Sequence, residues 1–141
     1  MRVKAKSLLL SLCVGLAGAL GNVEAHSQTM AITGASTIAL KSGERTEVGN
    51  LYWVSNCKSL LTSTPEVEVL DGPPGVAASV KDEMVMARAQ KCAAPVKGAK
   101  LFLAAKEIED PSFSTLTLRI TYRTRDGDRK FSQVFNLQLL P

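Results

Sequence analysis

The amino-acid sequence predicts an all-β domain, a β-sandwich or small barrel of six to eight short strands. Three observations carry this expectation. Apolar and polar residues alternate over short stretches separated by Gly, Pro, Asp and Asn. No convincing amphipathic helix interrupts them. The 141 residues, 45% hydrophobic and 21% charged, match one ordinary globular domain and exclude wholesale disorder.

The domain is expected to begin late in the chain. Arg2, Lys4 and Lys6 precede an uncharged apolar run over residues 8–20, and Val23-Glu24-Ala25 places a small side chain where a signal peptidase reads. That order predicts a secretory signal peptide over residues 1–25. The run is too short to cross a hydrocarbon core of about 30 Å as a helix. Cys13 is a poor lipid-attachment site, because bulky Leu12 precedes it within the apolar run. Cleavage after Ala25 leaves 116 residues with 14 basic and 12 acidic side chains. The whole-chain charge of +4 therefore owes much to the leader, and the hint of nucleic acid or membrane binding in a pI near 9.1 fades. Residues 26–35 are small and polar and are expected to form a loose arm before a domain over 36–141.

The strands follow in order. Residues 36–40 and 46–54 read as the first two, the second interrupted at Gly49-Asn50. Residues 65–70 alternate cleanly, with Val67 and Val69 on one face and Glu66 and Glu68 on the other. Asp71-Gly72-Pro73-Pro74-Gly75 forces a corner, because proline cannot donate to a sheet ladder. Val76, Ala78 and Val80 alternate next. Residues 81–92 hold many helix formers, yet Val85, Ala87 and Ala89 also alternate, and an extended segment is expected. Residues 93–98 read as loop and 100–105 as strand.

A hairpin closes the chain. Leu116, Leu118, Ile120 and Tyr122 alternate over residues 114–124, and Phe131, Phe135, Leu137 and Leu139 alternate over 131–139. Asp126-Gly127 between them predicts a two-residue turn. That turn would set Tyr122 against Phe131, Leu118 against Phe135 and Leu116 against Leu137, with both apolar sets on one side.

Cys57 and Cys92 remain in the exported part, and an isolated pair in an oxidising compartment is expected to bond. No CxxC spacing or neighbouring histidine favours a metal or redox role. Trp53, four residues before Cys57, is expected to pack over that disulfide rather than face a ligand, leaving Tyr52 on the opposite face if the segment is a strand.

The order Tyr52-Trp53, Cys57, Val67-Glu68-Val69, Gly72-Pro73-Pro74-Gly75-Val76, Cys92 and Leu118-Arg119-Ile120-Thr121-Tyr122 resembles small secreted immunoglobulin-like domains of proteobacteria. The Pro-Pro-Gly-Val corner and the 113–127 segment are also similar to cadherin-like bacterial surface repeats. The resemblance spans most of the exported part. It implies an immunoglobulin-like antiparallel β-sandwich of about seven strands with one disulfide, and a periplasmic or secreted location. The acidic calcium motifs of many cadherin repeats are missing, so no calcium role carries over.

Few residues can carry chemistry. His26 is the single histidine and would become the exported N-terminus, but a copper site of the histidine-brace kind needs a second. Met84 and Met86 place two thioethers at strand spacing, a poor copper site without histidine. Glu66 with Glu68, and Glu107 with Glu109, are same-strand neighbours rather than carboxylates facing across a cleft. No nucleophile triad, P-loop or dinucleotide fingerprint is present, so no enzyme and no cofactor is expected.

The remaining feature is cationic. Arg119, Arg123 and Lys130 would share the outer face of the last hairpin, with Arg125 and Arg129 near its tip. A solvated face that discourages edge pairing explains such residues without function. As a binding face they suit an acidic partner. The expected function is an exported, non-enzymatic interaction module whose partner is an envelope or extracellular protein or an anionic glycan, not nucleic acid. No transmembrane segment is expected after signal cleavage. An inhibitor of an extracellular hydrolase, using a protruding loop at 57–64 or 107–113, is the second expectation, and a periplasmic copper carrier the third.

Overall fold

A computed structural model describes residues 37–141, and the predicted signal peptide, the arm, Cys13 and His26 lie outside these residues. The strands are β1 (Ile38–Lys41), β2 (Arg45–Leu51), β3 (Val54–Ser55), β4 (Lys58–Ser59), β5 (Glu66–Asp71), β6 (Val76–Val85), β7 (Val96–Ala105), β8 (Ser112–Thr124) and β9 (Gly127–Leu140). They form sheets ordered β1-β9-β8-β5 and β2-β7-β6, with β3–β4 a separate small hairpin. Lettering the seven main strands A to G in chain order gives A-G-F-C facing B-E-D, the arrangement of an immunoglobulin-like sandwich with its first strand at the G edge. The fold class is as expected. The strand count rises to nine through β3 and β4, and one pairing departs from antiparallel: β1 runs parallel to β9, Ile38 opposite Leu137. A bridge from Ser42 to Ala105 then carries the chain across to the other sheet.

The two sheets bury their facing sides against each other. Leu116, Leu118, Ile120, Phe135 and Leu137 of one meet Leu51, Ala99, Leu101 and Leu103 of the other. Every inward residue of β8 named from the alternation is buried. Period-2 patterning over a half-buried sheet allows little else.

The closing hairpin departs from the expected register by two residues. Thr124 faces Gly127, so Tyr122 faces Arg129, Leu118 faces Gln133 and Leu116 faces Phe135. The cause is local. A type I′ turn at Asp126-Gly127 needs positive φ at both residues, whereas here Gly127 takes φ 108° and Asp126 does not. The loop is instead Arg125-Asp126, fastened by Thr124, whose Oγ1 donates to the Gly127 carbonyl at 2.8 Å and accepts from the Asp126 amide at 3.3 Å. A slip of two preserves the inward face, so the apolar sets still agree.

The region around the cysteines differs most from expectation. The second strand ends at Leu51 instead of continuing to residue 54. A tight hairpin follows, with Asn56 and Cys57 both at positive φ, as a two-residue turn of the primed type requires. β6 continues to Val85, after which a 3₁₀ turn, Arg88–Gln90, replaces the extended path. β7 begins at Val96 where a loop to residue 98 was expected, because Gly98 is a strand residue and not a turn. A Cβ there would meet the Leu51 carbonyl and lie 2.6 Å from Val85 Cγ2. Glycine permits that approach.

Candidate interaction surface

The Cys57–Cys92 disulfide forms as expected, across Cα atoms 5.5 Å apart. It ties the β3–β4 turn to the segment after the 3₁₀ turn. Beneath it lies a second small core of Tyr52, Val54, Val85, Ala87, Cys92 and Val96. Trp53 is buried but does not cover the disulfide. Its ring packs in the main core, 5.5 Å from Tyr122 and 5.7 Å from Phe131. Tyr52 takes the place beside Cys92. The pair does point in opposite directions, yet both rings are buried, because the disulfide-bound lobe covers the side a sandwich would leave open. The Tyr52 hydroxyl is buried with no hydrogen-bond partner among the described residues. Burial, reinforced by the nearby Tyr52 hydroxyl, pushes the Tyr122 phenol above its ordinary pKa of 10.0.

Of the predicted hairpin cations, two are engaged. β5 lies beside β8 with Glu66 opposite Thr121 and Glu68 opposite Arg119. Arg123 Nη2 donates to both Glu66 carboxylate oxygens at 3.1 Å, and its Nη1 lies 3.8 Å from Asp128. Arg119 Nη1 reaches Glu68 at 3.4 Å. These contacts hold Arg123 above its ordinary pKa. Such exposed pairs stabilise little. The Glu66/Glu68 and Arg119/Arg123 rows were each visible in the chain, but the β5–β8 pairing that brings them together was not. Lys130 sits opposite Thr121 on the same face, Arg125 occupies the turn, and Arg129 opposite Tyr122 projects from the other face. Among the described residues these three have no carboxylate within ion-pair distance and all are exposed.

The outer face of the second sheet is charge-compensated. Lys100 lies 3.1 Å from Glu47 and 3.9 Å from Glu83, which also pairs with Lys81. Arg45 stacks over Phe102 at 3.9 Å from the ring centre.

Each loop expected to protrude is anchored to the sandwich at one or two points. In 57–64, Ser59 Oγ donates to the Lys97 carbonyl at 2.9 Å, and the Thr62 amide donates to the Arg123 carbonyl at 2.9 Å. In 107–113, the Ile108 amide donates to Ser42 Oγ at 3.1 Å, and β8 starts at Ser112. Met84 is 58% exposed and Met86 half-buried. No cluster of three His, Cys, Asp or Glu side chains is placed to hold a metal among the described residues. None of their helices is long and apolar enough to cross a membrane. No family model matches the chain, and no characterised protein or solved structure shows a significant similarity to it.

Proposed function

We propose that this chain is an exported, non-enzymatic interaction module of the bacterial envelope that engages an acidic protein or anionic glycan through the tip of the β8–β9 hairpin. One observation supports this reading above others: Arg125 and Lys130 are exposed at the tip with no carboxylate in ion-pair distance among the described residues. Arg119 and Arg123, held by Glu68 and Glu66, frame that tip rather than offering free charge. Unpaired cations on a stiff hairpin suit recognition by charge, where the gain lies chiefly in association rate and selectivity. The leader-like N-terminus and the disulfide support the export part of the reading. Affinity isolation from envelope extracts, with the intact protein and with an R125E/K130E variant, tests it. The variant should lose the partners that the intact protein retains at low salt. An unchanged partner set would refute the hairpin as the contact surface.

A further inference from the structure

The charges of the described domain are sorted by position along the sandwich. At the end where β8 turns into β9, the Leu61–Thr124 bridge and the Thr62–Arg123 hydrogen bond join the hairpin tip to the segment after β4. The disulfide and the Ser59–Lys97 bond join that segment to the 3₁₀ turn and the start of β7. The disulfide lobe thus adds Lys58, Arg88, Lys91 and Lys97 to the three unpaired cations of the hairpin. All four are exposed and have no carboxylate partner among the described residues. Lys58 and Lys91 each adjoin a bridged cysteine, and Leu61 is three residues from Lys58, about 10 Å of extended chain. Among the described residues the acids at this end are Glu66, Asp126 and Asp128, with Asp82 and Glu83 on the adjoining rungs of β6; Arg123 takes Glu66 and Asp128, and Lys81 and Lys100 take Glu83.

The opposite end has the reverse balance. There the Gly43 amide donates to the Ala105 carbonyl and the Lys106 amide to the Gly75 carbonyl, and Glu44, Asp71, Glu107, Glu109 and Asp110 outnumber Lys41, Arg45 and Lys106. The two ends are separated by the length of β9, about 40 Å at strand rise. That exceeds the screening length of about 8 Å at physiological ionic strength, so each end presents its own sign.

We propose that the basic end docks the domain end-on against an anionic phospholipid bilayer. This goes beyond the hairpin reading and needs neither its partner nor its compartment. Three features favour a charged plane over a polymer. The cations come from turns and strand ends of several segments, so they meet a surface together without any pocket needing to form. Among the described residues no aromatic ring is exposed there to stack on a base or sugar, since Tyr52, Trp53 and Tyr122 are buried and Phe131 is half-buried. The acidic far end is repelled by a negative plane, which selects one orientation. Met84, opposite Lys97 and exposed, adds an apolar side chain at the rim.

Sedimentation of the full chain with vesicles tests the proposal. Phosphatidylcholine vesicles containing phosphatidylglycerol should bind it at low salt, and binding should fall as salt rises. K58E/R88E/K91E should weaken that binding at least about tenfold. K81E/K106E, with two reversals away from the basic end, should leave it nearly intact. Far-UV dichroism and disulfide content report folding, and K58Q/R88Q/K91Q replaces the reversal variant if that one fails to fold. Equal binding to pure phosphatidylcholine, no dependence on the lobe residues, or binding to a sulfated polysaccharide but not to anionic vesicles would each overturn it. The hairpin reading fails separately, through an unchanged partner set for R125E/K130E.

Discussion

The domain holds two buried clusters of different construction. The main core is made by sheets: Leu116, Leu118, Ile120, Leu101 and Leu103 point inward because alternate strand residues must. The smaller cluster of Tyr52, Val54, Val85, Ala87, Cys92 and Val96 is made where strands end, from a tight hairpin, a 3₁₀ turn and a disulfide. One gathers residues through repeated backbone hydrogen bonds, the other through a covalent tie between segments that share few. Burial in this molecule thus follows from periodicity in one place and from cross-linking in the other.

Each of the following substitutions strains that distinction. Leu118→Ala removes a fully buried side chain from the centre of the main core and should cost about 3–5 kcal/mol in urea unfolding, lost cooperatively across the domain. If only the β5–β8 edge loosened, the main core would not be one unit. Replacing Cys57 and Cys92 together by Ser should cost about 3–4 kcal/mol on the chain-entropy scale for a separation of 35 residues. Amide exchange should then accelerate first at Tyr52, Val54 and Val85, while β8 and β9 stay protected. Uniform acceleration would show that the small cluster has no separate identity.

Gly98→Ala acts at the seam, where the added methyl meets the Leu51 carbonyl and Val85. Overpacking of about 1–3 kcal/mol is expected, visible as a lowered thermal midpoint. The smallest effect at neutral pH is expected from Tyr122→Phe, at the ring contact with Trp53. The Tyr122 phenol titrates higher in the folded state than its ordinary 10.0, so the folded form keeps a proton that the unfolded chain gives up. Stability is therefore undiminished below about pH 10 and falls as pH rises beyond it. Tyr122→Phe should flatten that alkaline decline in pH-dependent unfolding, and an unchanged slope would assign it elsewhere.

The inward rows of β8 and β9 were legible in the chain, whereas the places of Leu51, Leu61 and Trp53 in the main core, and the second cluster as a unit, were not. Alternation marks Leu116, Leu118, Ile120 and Tyr122 wherever β8 is placed; it also marks Val85 and Ala87, but nothing periodic marks Tyr52 or says that these three share a core. Gly98 misled because glycine signals a turn and a close backbone approach equally well. For the candidate surface, Arg119 and Arg123 were visible as an outward row, and so were Glu66 and Glu68. That the rows face each other depends on β5 lying beside β8, a pairing across about fifty residues that no local pattern states. The cations of the disulfide lobe were scattered singly along the chain and came together through chain reversal alone.

The β class, the inward faces of β7, β8 and β9 and the identity of the bridged cysteines follow from the order of residues alone. Short-range sterics and the period of two make those properties local. Tertiary structure decided the hairpin register, the order of strands in the sheets, the place of Trp53 in the main core and the gathering of unpaired cations at one end. A two-residue slip leaves every side chain on its own face, so alternation cannot choose between registers. Strand neighbours and charge clusters depend on contacts between distant segments, which only the packed molecule brings within reach.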